Sequence, residues 1–435
     1  MSKVEPRLIF ILISLCLLTA TFGVRPVFAD GPIYIRADGT VDPPEAPIHR
    51  NGDLYTLTDN ITSTTDGIII EKDNITIDGN GHTVQGGVVG NAFYLYGASN
   101  VTIRNTRTRG FNYGIYLEST SGNIIHGNDI AESTYDGISL YDAVDNIMSF
   151  NRIEDNGWSS IGLYYSSGNS VTGNYIAGNY FGINLLGSEL NSIFHNTLIG
   201  NTNHASSDDL ANSWDNGYPS GGDYWSGYTG IDVYSGPDQN QPGSDGIGDT
   251  PYNCTGNSQD RYPLMQPWIN LAVVNVLPSK TAVGEGYKVN ISVTVQNQGW
   301  NTQTTGLTVY VNATVVGTVA SLVLPERSQA ILNFTWQTTP TLKGNYVLSS
   351  TVDPIPNEPD VRDNNRTYGR IIKVTVVGDV NGDGAVDIFD AITLSNAFAS
   401  VPNSPTWNGN ADINSDNSVD IFDAILLSGN FGKKI

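Results

Sequence analysis

With 435 residues, 39% of them hydrophobic, and a formal net charge of −22, the chain is long enough for about two to four domains. That charge argues against a nucleic-acid or anionic-membrane partner, since either requires a basic surface. Of the two cysteines, Cys16 falls in an apolar leader and Cys254 stands alone after it, so stability must come from packing and bound ions rather than an internal disulfide.

Residues 1–29 read as a secretory signal: Lys3 and Arg7 precede an apolar run, and Val27-Phe28-Ala29 offers a small-residue cleavage site before Asp30. Cleavage leaves a secreted or surface-associated protein with no membrane insertion; the alternative keeps the segment as an anchor. Asn-x-Ser/Thr triplets at Asn60, Asn74, Asn290, Asn312, Asn333 and Asn365 permit glycosylation without demonstrating it.

Residues 30–66 predict irregular strands that cap the first turn of a solenoid, and residues 67–268 predict the solenoid with its closing segment. Asn100, Asn123, Asn146, Asn169 and Asn191 recur every 22 or 23 residues, each followed five positions later by Asn105, Asn128, Asn151, Asn174 and Asn196. Apolar columns run beside them, such as Ile115, Ile138, Ile161 and Ile183. A repeat this short buries no core alone, so copies must stack, in about six coils. Ile-x-Leu alternation broken by Gly, Asn and Asp gives short strands, and stacked strands let asparagine amides pair coil to coil. These columns resemble the repeat domain of the NosD family, which implies a right-handed parallel β-helix.

From residue 213 the period ends and Gly, Asp, Trp and Tyr accumulate, as in the segment closing many NosD-type solenoids. Asp238, Asn240, Asp245 and Asp249 form a possible third calcium site there, although residues 241–244 break the ligand spacing and tight Asp-Gly turns account for them equally well.

Residues 269–377 alternate cleanly through Val289-x-Ile291-x-Val293-x-Val295 and Leu307-x-Val309-x-Val311. About seven short strands over this length predict an immunoglobulin-like β-sandwich. Asn270-Leu271-Ala272-Val273-Val274, Val295-Gln296-Asn297-Gln298-Gly299 and Asp363-Asn364-Asn365 resemble the CARDB module, which implies a spacer or ligand-presenting arm.

Residues 378–435 hold a duplication offset by 33 residues. Oxygen donors stand at positions 1, 3, 5, 9 and 12 of two loops: Asp379, Asn381, Asp383, Asp387 and Asp390, then Asp412, Asn414, Asp416, Asp420 and Asp423. Ala385 and Ser418 at position 7 would give main-chain carbonyls, the EF-hand arrangement for Ca²⁺. Gly384 supplies the turn at position 6, where the second loop has Asn417. An apolar helical pattern follows each loop. The pair resembles a type I dockerin, which implies two Ca²⁺ ions and a cohesin-type partner. At the family's contact positions stand Ile388, Phe389, Ile421 and Phe422, which either dock or face the module's own core.

The expected fold is therefore mainly β: a parallel β-helix, a sandwich and a small α-helical module with two calcium loops. The solenoid either binds or processes extracellular polysaccharide, or catalyses as a lyase or glycoside hydrolase, or is a non-catalytic adhesive or structural part of a cell-surface protein. Glu132 and Asp155 share a column, and Asp129 lies under Arg152; these are the candidates for polysaccharide lyase or hydrolase chemistry, with ordinary surface charge as the alternative. Tyr135, Trp158 and Tyr180 share one column and Tyr141 and Tyr164 another, to stack on sugar faces or simply on each other. Copper is not expected, because His82, His126, His195 and His204 form no close-spaced cluster.

Overall fold

The computed structural model describes residues 31–435 except 209–210, 256–257, 340–342, 357 and 359–360, together with the main chain of Val27–Ala29. The predicted signal segment otherwise lies outside the described residues. The chain divides into two compact units, the first holding residues 1–193, 198–213 and 253–259 and the second the rest.

In the first unit, strands of three to six residues stack in parallel as a solenoid of about seven turns with three faces. One face carries Ile61–Ser63, Thr83–Gln85, Arg107–Arg109, Asp129–Ala131, Arg152–Glu154 and Tyr175–Ala177. The second carries Ile33–Ile35, Ile68–Ile70, Asn91–Tyr96, Tyr113–Glu118, Ile138–Tyr141, Ser159–Tyr164, Phe181–Leu186 and Asn203–Ser206. The third runs from Leu54–Leu57 through Thr76–Asp78, Thr102–Arg104, Ile124–His126 and Ile147–Ser149 to Ser170–Thr172. Register is one residue per coil in every column: Ile115 pairs with Ile138, which pairs with Ile161, which pairs with Ile183, all fully buried. Period-two alternation thus places one apolar ladder per face inside and polar residues outside. Before the coils settle, Ile33–Ile35 and Ile48–Asn51 each make an antiparallel pair, with Val41–Asp42 and Leu54–Leu57.

Three asparagine ladders fix the corners. Asn123, Asn146, Asn169 and Asn191 form one, and Asn128, Asn151 and Asn174 another, all at most 2% exposed. The step is the same throughout: Asn128 donates its main-chain N–H and its amide to Asn151 Oδ1, both at 3.0 Å, and Asn151 repeats both bonds to Asn174. Asn156, Asn179 and Asn201 make a third ladder with the same 22 or 23 residue spacing, which the sequence reading missed. One placement differs from expectation. Strand register aligns Asn100 with Gly122, so Asn100 and Asn105 occupy left-handed corners (φ +56° and +54°) one step ahead of the ladders. Val101 and Thr106 take the ladder positions and donate to Asn123 and Asn128. Asn serves both roles because its short amide tolerates φ > 0 and also bonds across coils.

In the second unit, Leu271–Pro278, Lys288–Asn297 and Gln329–Gln337 form a three-stranded sheet. A five-stranded sheet of Ala282–Gly284, Asn365–Thr375, Gly344–Val352, Gln303–Val311 and Thr314–Leu324 faces it. Their inner residues, including Val289, Ile291, Val293, Leu307, Val309 and Trp336, close one core. Beyond the sandwich come α1 (Ile388–Ala397) and α2 (Ile421–Ser428). Each opens on a reciprocal capping box, Asp387 with Asp390 and Asp420 with Asp423. Among the described residues no helix is long and apolar enough to cross a membrane.

Candidate functional site

The solenoid's second face and the corner leading into it carry most of its exposed aromatic rings. Tyr135, Trp158 and Tyr180 lie at successive coils, each 43–49% exposed, with Trp158 and Tyr180 stacked at 5.1 Å. Tyr135 packs instead against Tyr113 at 5.5 Å, and Tyr113 stacks on Tyr116, which stacks on Tyr94. The ring stripe is therefore longer than the sequence columns indicated, because adjacent columns interleave. Tyr141 and Tyr164 do pair in register, but Tyr141 packs edge-on against Tyr165. Tyr164 folds back over Gly162, where a Cβ would lie 2.7 Å from the ring, and donates its hydroxyl to Asp136.

Asp136 belongs to none of the columns or motifs visible in the sequence. It is 1% exposed, accepts Ser159 N–H on Oδ1 and Tyr164 Oη–H on Oδ2, both at 3.0 Å, and burial pushes its carboxyl up. The sequence candidates are arranged differently. Glu132 and Asp155 share a column as expected, both at exposed left-handed corners (φ +61° and +54°). Arg152 pairs in register with Asp129 but directs its guanidinium to Glu154 at 2.7 Å, while Asp129 takes Arg109.

In the closing segment, Asp245 accepts Ile247 N–H and the Gln239 amide, and Asp249 accepts Val233 and Tyr234 N–H. Asp238 and Asn240 stand exposed in the neighbouring turn. Asp232, not singled out in the sequence, accepts Ser244 Oγ–H, Asp245 N–H and Gly246 N–H. Deeper lies a buried carboxyl pair. Asp223 accepts both bonds of Asn196 on Oδ1, while its Oδ2 is buried without a partner. Asp260 accepts Asp223 N–H and Trp225 Nε1–H on Oδ2, and Tyr262 N–H on Oδ1. Desolvation pushes both carboxyls up, Asp260 to about 7.

The histidines do different jobs: His126 bonds Ser149, and His195 bonds the Ser220 carbonyl and stacks on Trp268 at 5.0 Å. Among the described residues no three His, Cys, Asp or Glu side chains gather in a group that holds a metal ion.

The two C-terminal loops repeat one hydrogen-bond set. Asp390 Oδ1 accepts Val380 and Asn381 N–H while Oδ2 accepts Asp387 N–H; Asp423 does the same with Ile413, Asn414 and Asp420. Asn381 and Asn414 donate to Asp383 and Asp416. Asp379 accepts Gly382, Asp383 and Gly384 N–H, and Asp412 accepts Asp416 and Asn417 N–H. Gly384 and Asn417 both have positive φ, +104° and +70°, so the asparagine holds the turn expected of glycine. Every side-chain donor at ligand spacing is oxygen, four carboxylates and one amide per loop, and Asp379, Asp390, Asp412 and Asp423 are at most 4% exposed. An all-oxygen donor set with two buried carboxylates per loop matches the chemistry of a hard cation, although among the described residues the side chains do not converge into a metal-holding group. Ile388, Phe389, Ile421 and Phe422 are 56–62% exposed, which removes the core alternative. Ala391, Leu394, Ala424, Leu427, Ser428 and Phe431 line a groove of about 320 Å³ between the helices.

Three family models match the chain: Periplasmic copper-binding protein (NosD) over residues 45–230, CARDB over 270–368 and Dockerin type I domain over 377–431. No curated protein matches. Among solved structures, the CARDB domain of a Pyrococcus furiosus protein in complex with di-metal ions is 25% identical, covering 25% of this chain and 96% of that one, with TM-score 0.23. A periplasmic alginate epimerase is 13% identical over 41% of this chain and 70% of its own, with TM-score 0.23. A β-glucosidase from Listeria innocua is 10% identical over 27% and 18%, with TM-score 0.19. Type I dockerins bind calcium and in general imply a cohesin partner. The chain is thus a modular, mainly β protein whose parts match, in order, the NosD, CARDB and type I dockerin families.

Proposed function

We propose that this is an extracellular or cell-surface protein, secreted through the segment of residues 1–29, whose C-terminal module folds around two Ca²⁺ ions and attaches it to a cohesin-type partner. The observation that carries this reading is the hydrogen-bond set that Asp390 and Asp423 share, bond for bond, each loop leading into an exposed Ile-Phe pair on the first turn of a helix. A bound ion would supply positive charge to carboxylates otherwise held together by N–H groups and the Thr375 hydroxyl. Asp379, Asn381, Asp383, Asp387 and Asp390 would hold one, with Asp412, Asn414, Asp416, Asp420 and Asp423 holding the other, and the carbonyls of Ala385 and Ser418 completing them. Asp390 and Asp423 tie each loop to its helix, so an ordered loop sets the direction in which Ile388, Phe389, Ile421 and Phe422 point. Calorimetry on the whole chain should register two Ca²⁺ equivalents, reversed by EDTA. Uptake of none, with a melting curve indifferent to EDTA, would sink the assignment.

The same reading gives the solenoid a glycan-facing role, supported by the stacked and exposed rings from Tyr94 to Tyr180. Catalysis on that face is a second reading, favoured by one observation: Asp136, a buried carboxyl kept up by desolvation and bonded to Tyr164, beside the ring stripe. Release of sugar products by the chain and its loss in Asp136→Asn would establish it; binding without turnover would leave a carbohydrate-binding surface.

A further inference from the structure

We propose that the sandwich edge formed by Ala282–Gly284 and the end of Asn365–Thr375 is a docking surface for both calcium loops, so that calcium binding and seating of the C-terminal module are one linked equilibrium. The inference rests on the calcium reading above, and it adds the sandwich groups that face the loops, which that reading does not use.

Each loop is held at its first or fourth position, or both, by the sandwich. In the first, Asp379 Oδ2 accepts the Thr375 hydroxyl and the Gly382 carbonyl accepts Lys373 Nζ at 2.6 Å. In the second, Lys280 Nζ donates to the Asp412 carbonyl and, at 2.9 Å, to Ser415 Oγ, whose hydroxyl donates to the Lys288 carbonyl at 3.0 Å. Lys373 pairs in register with Ala282, two residues after Lys280, so the two lysines reach the two loops from neighbouring segments of the chain. Lys280 is 4% exposed. A buried ammonium stays charged at a bearable cost only while its oxygens are in place, so a shift of the second loop strands it. Between the lysines, Asn410 Oδ1 accepts Thr281 and Ala282 N–H at 2.7 and 3.1 Å, covering edge-strand donors that would otherwise face water or another chain.

Asp379 and Asp412 are the first ligands of their loops, so the residues that would meet the ion are also the residues seated on the sandwich, Asp379 by its carboxylate and Asp412 by its main-chain carbonyl. Whatever ordering calcium imposes on these loops is felt at the edge, and by linkage the edge raises calcium affinity in return. The C-terminal module then acts as a foot fixed to the sandwich when calcium is present.

Amide exchange at Thr281 and Ala282 in the whole chain tests this, with calorimetry run in parallel and the core amides of Val293 and Val309 as the folding control. Exchange should accelerate about tenfold or more on chelation while the controls hold. Lys280→Met and Asn410→Ala should each give the fast exchange even in calcium and weaken calcium binding several-fold. Calcium uptake with unchanged exchange at both amides overturns the linkage and leaves the calcium reading standing. Absence of calcium uptake overturns the calcium reading first and the linkage with it.

Discussion

The asparagine ladders of the solenoid and the aspartate loops of the C-terminal module meet the same local need, a turn whose main-chain N–H groups require a side-chain oxygen, with side chains of different charge. Asn151 Oδ1 accepts two bonds from Asn128, and its own amide donates to the Ile125 carbonyl and to Asn174. Every polar atom is used and no charge remains. Asp390 Oδ1 likewise accepts two bonds, from Val380 and Asn381, and Oδ2 a third. There the acceptor is an anion with no donor capacity, and it sits among three other aspartates of its loop. A neutral ladder closes on itself and becomes frame, while a charged loop of the same local geometry has a reason to take a cation.

The largest effect should come from breaking a ladder. Asn151→Ala removes the acceptor of two Asn128 donors and the donor to Ile125 and Asn174, all in a site with no solvent exposure. At about 1–3 kcal/mol for each buried group left unpaired, a loss of about 4 kcal/mol or more is expected. Chemical denaturation followed by far-ultraviolet circular dichroism measures it. Asp383→Ala makes the matching cut in an exposed loop. It should leave melting in EDTA unchanged and abolish calcium uptake by the first loop. Equal destabilisation by both in EDTA would erase the distinction between frame and ligand.

A smaller effect lies where the two chemistries meet. Asp223 receives from Asn196 the same two bonds that one ladder asparagine gives the next, but it is an acid, and its Oδ2 stands where an amide would donate. Gly222 is required beside it, since a Cβ there would run 2.0 Å from Asp260. Burial and the facing Asp260 raise the Asp223 carboxyl well above its ordinary value, with Asp215 adding to the effect while itself held down by Arg261. Asp260 stands raised to about 7. A carboxyl raised in the fold stabilises it fully below its unfolded value of about 4 and loses that contribution as pH climbs through the folded one. The closing segment should therefore weaken between about pH 4 and pH 7. Asp223→Asn should flatten that slope and stabilise the chain at pH 8, as read from melting temperature against pH. An unchanged slope would mean that the pair does not share its burden.

Spacing alone made the stacking, the apolar columns and the duplication of the two C-terminal loops readable, because each is a local pattern copied at a fixed offset. What escaped was set by neighbours distant in sequence. The one-residue offset of Asn100 and Asn105 follows from pairing with Gly122 and Gly127, and only strand register reveals it. Asp136 gains its burial and its Tyr164 bond from the next coil. Lys280, between two strands, and Lys373, on a strand, are ordinary sandwich residues until a loop more than a hundred positions away, or one just past the strand end, covers them. Ile388 and Ile421 keep helical spacing whether they face in or out, so their exposure was not legible at all.

The smallest expected effect compares the loops with each other. They differ at the sixth position, Gly384 against Asn417, with both residues in the left-handed region. For an ordinary side chain that conformation costs about 1–2 kcal/mol, and asparagine visits it more readily than other residues. Asn417→Ala should therefore lower stability in calcium by about 1 kcal/mol. Asn417→Gly removes the same side chain with no penalty from φ, and its effect should be within about 0.5 kcal/mol because added freedom in the unfolded chain offsets the relief. The difference between the two variants isolates the backbone, since both lose the same amide. If alanine proves as harmless as glycine, the second loop does not hold the turn of the first, and its calcium site must be built another way.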